Sequence, residues 1–162
     1  MATLISRLRE SERGQAVIEM ALTLPLLLMV VFGIIDFGFM FQRYEVITNA
    51  AREGARLGVL PQYTPAEASN RVQQYLLASG LPATTANRRG TCGGAQIKNT
   101  WCATLTPSTV TVPGSTPAKT VNQVTMLVQF DHEYSFLGPI MGLFGGSWGT
   151  IRLAAASSMR VE

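Results

Sequence analysis

Two acids stand inside the most apolar stretch of the chain. Residues 16–41 run Ala-Val-Ile-Glu-Met-Ala-Leu-Thr-Leu-Pro and onward to Phe41, and only Glu19, Thr23 and Asp36 interrupt them. A charged acid in hydrocarbon costs about 3 kcal/mol, so each is a functional candidate by default. Elsewhere Asp131-His132-Glu133 is the one tempting titratable cluster. On a strand its two acids face one side and the histidine the other, so the three do not converge and read as a polar strand end. Ser157 and Ser158 have no nearby base, and neither a phosphate loop nor a nucleophile constellation is present, so no enzyme and no cofactor are expected. Cys92 and Cys102 lie ten residues apart in a Gly/Thr-rich stretch. Outside the inner membrane a disulfide is their natural state, and so short a ring contributes about 2–3 kcal/mol by loop entropy. Two reduced buried thiols are the alternative; zinc would lack ligands.

The composition says where those residues must sit. Hydrophobic residues make up 47% of the 162 and charged residues only 14%. A soluble domain carries nearer a quarter charged residues. The mean hydropathy of +0.21 points the same way, towards a membrane segment. A net charge of +3, with basic residues scattered along the chain, argues against a nucleic-acid partner.

The elements follow from pattern. A polar leader covers residues 1–14, with Arg7, Arg9 and Arg13 set against Glu10 and Glu12. A long helix is expected over 15–58, its transmembrane part at about 16–38. Residues 16–35 alone span roughly 30 Å, the thickness of a bilayer's hydrocarbon. Asp36 then falls at the far interface, and Glu19 about one turn inside the near one. Gly58 and Pro61 stop the helix. The remainder, 59–162, reads as one extracytoplasmic α+β domain. Thr64-Pro65-Ala66-Glu67 is a capping box that opens a helix over about 65–79. A disulfide loop of about 83–117 should hold a short strand near Thr109–Val112. Strands are expected over about 121–134 and 148–161 from apolar residues at spacing two. Between them Phe136–Gly146 is an unusually greasy connection, the kind that marks a contact surface. The fold class is α+β: a lollipop with one long helix, one short helix and a small antiparallel sheet of two to four strands.

Arg13-Gly14-Gln15-Ala16-Val17-Ile18-Glu19 resembles the type IV prepilin signal, in which a peptidase cuts after the glycine. The resemblance narrows with Phe-Gly-Ile-Ile-Asp-Phe-Gly at 32–38 and Thr-Asn-Ala-Ala-Arg-Glu-Gly-Ala-Arg at 48–56. Together these look like the TadE-like family, pseudopilins of the tight-adherence (Flp-type) pilus system. That resemblance implies cleavage between Gly14 and Gln15, and a role for Glu19 in assembly, where it compensates the new amino terminus. It implies a minor pilin used in adhesion, whose partners are a prepilin peptidase, the major Flp-type pilin, other minor pilins, and the inner-membrane platform with its ATPase. The protein would sit in the inner membrane as a single-pass chain with its C-terminal domain outside, and could enter a pilus. An ordinary signal anchor with Glu19 snorkelling to the headgroups is the plainer reading of the same acid, and an uncleaved bitopic anchor or adhesion protein is the rival function. Asp36 either pairs with a basic group on a neighbouring subunit or marks the end of the span. Ala50, Gly54 and Gly58 form a small-xxx-small row that admits another backbone, either a second subunit's or the chain's own domain.

Overall fold

The structure is a computed structural model that describes residues 2–143 and 149–161; residues 2–13, Met141 and Leu143 are described by backbone alone. Part of the greasy connection, Phe144–Gly146, and the expected strand start at Trp148 lie outside the described residues, as do the leader's arginine side chains.

Helix α1 runs Ala2–Gly58 without a break. The expected start at residue 15 is therefore too late. Leu4, Ile5 and Leu8 recur at helical spacing, and the first proline, Pro25, lies far downstream, so nothing stops the helix from extending into the leader. One helix, Gly14–Gly58 as searched, is long and apolar enough to cross a membrane, and its most apolar window has none of its residues buried against the rest of the chain.

Helix α2 covers Pro65–Ala78 and starts as its sequence demands. The Thr64 hydroxyl accepts from the Glu67 amide at 3.3 Å, and the Glu67 carboxylate accepts from the Thr64 amide at 2.7 Å. Three strands follow among the described residues, β1 (Trp101–Thr111), β2 (Thr120–Glu133) and β3 (Thr150–Arg160), with a helix α3 (Leu137–Leu143) of about two turns between the last two. They form one antiparallel sheet in the order β1-β2-β3. Trp101 is paired with Phe130, and Phe130 with Leu153.

Two elements differ from expectation. The short strand foreseen near Thr109–Val112 is an eleven-residue strand that begins at Trp101. Trp101, Ala103 and Leu105 face inward while Thr104 and Thr106 face solvent, but beyond Leu105 both faces are exposed, and Pro107 sits on the open edge. A polar edge strand containing proline looks like loop in sequence. The greasy connection, in turn, contains α3.

The domain has two layers. From α1, Ile47, Ala50, Ala51 and Ala55 are fully buried; Val72 and Leu76 of α2 join them; Met126, Val128 and Phe130 of β2 close the other side. Each large apolar side chain so buried contributes about 1.5–3 kcal/mol. The architecture is thus the α+β lollipop, with the sheet wrapped against the outer half of α1.

Candidate functional site

The candidate site is the length of α1 that leaves the domain, together with the junction where it does so. On the free half, Gly14, Gln15 and Glu19 are all exposed. Among the described residues the Glu19 carboxyl has no hydrogen-bond or ion-pair partner; only its backbone carbonyl is engaged, by the Thr23 hydroxyl at 2.9 Å. Further along, Val30, Gly33, Ile34, Phe37, Gly38 and Phe41 line a shallow apolar groove. It exists because Gly33 and Gly38 leave gaps between the larger side chains, and a Cβ on either would meet nothing within 4 Å.

Asp36 behaves unlike Glu19. It is fully buried, and its carboxyl oxygens accept from three consecutive backbone amides of the segment entering α3. Oδ1 takes Ser135 at 3.1 Å and Phe136 at 3.3 Å, while Oδ2 takes Phe136 at 3.0 Å and Leu137 at 2.7 Å. One turn earlier on α1, the Phe32 ring stacks on Phe136 with centroids 5.0 Å apart and planes 6° from parallel. Within the chain the partners of Asp36 are amides about a hundred residues away. A basic group on a neighbouring subunit and the end of a span, the two readings of this acid, both concern surroundings outside the chain. Uncapped amides at the start of α3 need an acceptor, and a buried acid needs donors; each supplies the other.

Two turns beyond Asp36, Arg43 Nη1 meets His132 Nδ1, and the guanidinium lies 5.9 Å from the centroid of the Phe130 ring. His132 is fully buried, on the same inward parity as Val128 and Phe130. Burial first, and then the neighbouring Arg43 charge, push its pKa down to about 4 against the pull of Asp36 and Glu133. A neutral imidazole that accepts from Arg43 at Nδ1 carries its proton on Nε2, and Nε2 is buried without a partner among the described residues. Burial also lowers the Arg43 pKa.

Asp131-His132-Glu133 closes β2 as a polar strand end whose members do not converge, and Asp131 and His132 are both fully buried there. Asp131 points to the opposite face of the sheet. It takes Arg152 Nε at 2.8 Å and Nη2 at 3.0 Å, the Ile97 amide at 2.9 Å, and lies 3.5 Å from Arg89. Burial raises its pKa, but these donors and charges outweigh that, and the carboxyl stays below the usual range. Glu133 is held by Lys98 at 3.1 Å and Asn99 at 3.2 Å. The three residues serve three different neighbours.

What covers Asp131 is the loop that carries Cys92. Cys92 and Cys102 are disulfide-bonded with Cα atoms 5.5 Å apart. The loop's Gly94 and Ala95 carbonyls accept from Arg152, and its Gly93 amide donates to Gln129 at 2.8 Å. The disulfide and this network fasten the loop to the outer face of the sheet.

The small-residue row faces the chain's own domain. Ala50 is fully buried, a Cβ on Gly54 would lie 2.6 Å from Val72 Cγ2 and 2.9 Å from Met126 Cε, and one on Gly58 would lie 2.8 Å from Leu105. Of the alternatives left open, the row therefore seats α1 under the sheet and leaves no room there for a second subunit.

Sequence reasoning missed the Asp36–amide clamp, the Phe32–Phe136 stack and the Arg43–His132 contact. For the last, the parity of β2 held the signal, since His132 continues the 124–126–128–130 row of inward residues. The first two join residues too far apart in sequence for any spacing to reveal.

No curated protein and no solved structure matches the chain. Residues 14–56, the part of α1 that holds Glu19, Asp36, Arg43 and most of the small-residue row, match the family described as TadE-like protein.

Proposed function

We propose that this protein is a minor pilin (pseudopilin) of a tight-adherence, Flp-type pilus, cut by a prepilin peptidase between Gly14 and Gln15 and held in the assembly through Glu19. The TadE-like match associates the chain with Tad pilus machinery. The observation that carries the finer reading is the pairing of Gly14 with an acid five positions on, on a helix whose apolar half is exposed. Glu19 lies there with no partner among the described residues. Such an acid is stable in a membrane only with a compensating charge. After cleavage the chain creates one, the amino group of Gln15, one helical turn away on the same face. Its own amine or a neighbour's then satisfies the carboxylate.

The remaining features fit a subunit and not an enzyme. The groove at Gly33 and Gly38 admits another helix, and the buried acids Asp36 and Asp131 hold connecting segments in place. Leader in the cytoplasm and domain outside is the orientation favoured by the leader's arginines and by the disulfide. Prepilin peptidase, the major pilin, other minor pilins, the platform and the ATPase are the partners of this reading.

The test is Glu19→Ala. The variant should insert and lose residues 1–14 as the wild type does, while its pilus-associated fraction falls by roughly tenfold to a hundredfold, the size of one charge-assisted contact. Normal incorporation of the processed variant would remove Glu19 from the assembly.

A further inference from the structure

The Asp36 clamp fixes where the greasy connection sits. A residue on a helix rises 1.5 Å, so Phe32 lies about 6 Å deeper along α1 than Asp36. Because the Phe136 ring is stacked on Phe32, the chain entering α3 is drawn down to that depth beside the span. The same segment is apolar: Phe136, Leu137, Pro139 and Ile140 follow one another with only Gly138 between. Phe136 remains 40% exposed even with one face on Phe32. Above it sits a polar rim of Arg43, Tyr134, Lys98 and Glu133, the sort of side chains that mark a membrane–water boundary.

From this geometry we infer that Ser135–Gly142 is a second membrane contact, an interfacial segment seated where the outer headgroups meet the acyl chains and held there by Asp36. The occupant of its exposed apolar surface is lipid. The clamp also explains why the acid is tolerated. Three amides in a row supply the donors that water no longer supplies at that depth. The domain would then rest on the bilayer at two points, α1 and the α3 connection, with a set orientation in place of free swivelling about a single helix. The inference rests on the reading that about 16–38 crosses the membrane.

Both can be tested, separately, by nitroxide labelling of the full chain in lipid nanodiscs holding one copy each. The native cysteines are joined to each other, so an introduced thiol is the one that labels. Gly142→Cys is the reporter, since a Cβ there meets nothing within 4 Å. Ile34→Cys, exposed in the span, is the lipid reference, and Val110→Cys, exposed on β1, is the water reference. Collision with a polar nickel chelate should be roughly tenfold lower at 142 than at 110, with oxygen accessibility near that at 34, because a polar complex is excluded from the apolar phase. Adding Asp36→Asn, which keeps only one acceptor oxygen for the amides, should return nickel accessibility at 142 towards the value at 110. Nickel accessibility at 142 equal to that at 110, with 34 still protected, overturns the inference and leaves the span intact. Accessibility at 34 overturns the span itself. Protection at 142 that appears only when several copies share a disc assigns the surface to a second copy and overturns the lipid contact. An unchanged Asp36→Asn variant overturns the clamp; should that variant not insert, the three wild-type-background labels still decide.

Discussion

The two halves of α1 use similar residues for opposite purposes. From Val17 to Phe41 most of its large side chains point outward and its glycines, Gly33 and Gly38, border open space. From Ile47 its small residues are buried, and Gly54 and Gly58 are where Val72, Met126 and Leu105 come closest. A glycine in the first half shapes a surface available to other molecules; a glycine in the second half is filled by the chain itself. The acids divide in the same way, with Glu19 lacking a partner among the described residues and Asp36 saturated. Helical pattern and hydrophobicity describe both halves alike, and the contrast arises only from what folds back against them.

The sharpest way to break the comparison is to put one substitution into both halves. Gly54→Leu should lower the stability of the full chain in detergent by about 3 kcal/mol, because even its Cβ would collide with Val72 and Met126. Gly33→Leu should leave domain stability within about 0.5 kcal/mol of wild type. Thermal melts followed by near-ultraviolet circular dichroism compare them, and equal losses would erase the distinction.

Asp36→Ala should come next, at about 2 kcal/mol, since it strands amides at the entry to α3 that no other group among the described residues accepts. Amide hydrogen exchange should speed up at Ser135–Leu137 first, and unchanged protection there would contradict the clamp. The effect of pH is smaller for each unit. The folded pKa of His132, about 4, lies below the unfolded value near 6.5. In that window the unfolded chain binds a proton that the folded chain refuses, so stability falls as pH is lowered from 6.5 towards 4. One proton limits the slope to about 1.4 kcal/mol per pH unit. His132→Gln should flatten this part of the melting-temperature profile, and an unaltered slope would move the effect to another group.

The sequence reveals these regions unequally. Capping residues, apolar periodicity and stop signals are local, so α2, the long helix, and strands β2 and β3 could be read from nearby positions. Strand β1 was obscured because half of it is polar on both faces and it contains Pro107. The site divided along the same line. The Gly14–Glu19 spacing is local and legible. Asp36 could be singled out as an acid in an apolar run, but its partners, the amides of residues 135–137, carry no side-chain signature. The buried state of Asp131 depends on Arg152 and on a loop held by the disulfide, neither of which its neighbours in sequence announce.

The central claim is that α1 is a processed pilin helix whose exposed half is made for assembly. Intact mass of the protein taken from native membranes tests it most directly. The account predicts a chain lacking residues 1–14 that begins at Gln15. A full-length chain would contradict it and leave an uncleaved anchor, and loss of the whole apolar run would contradict it in favour of secretion.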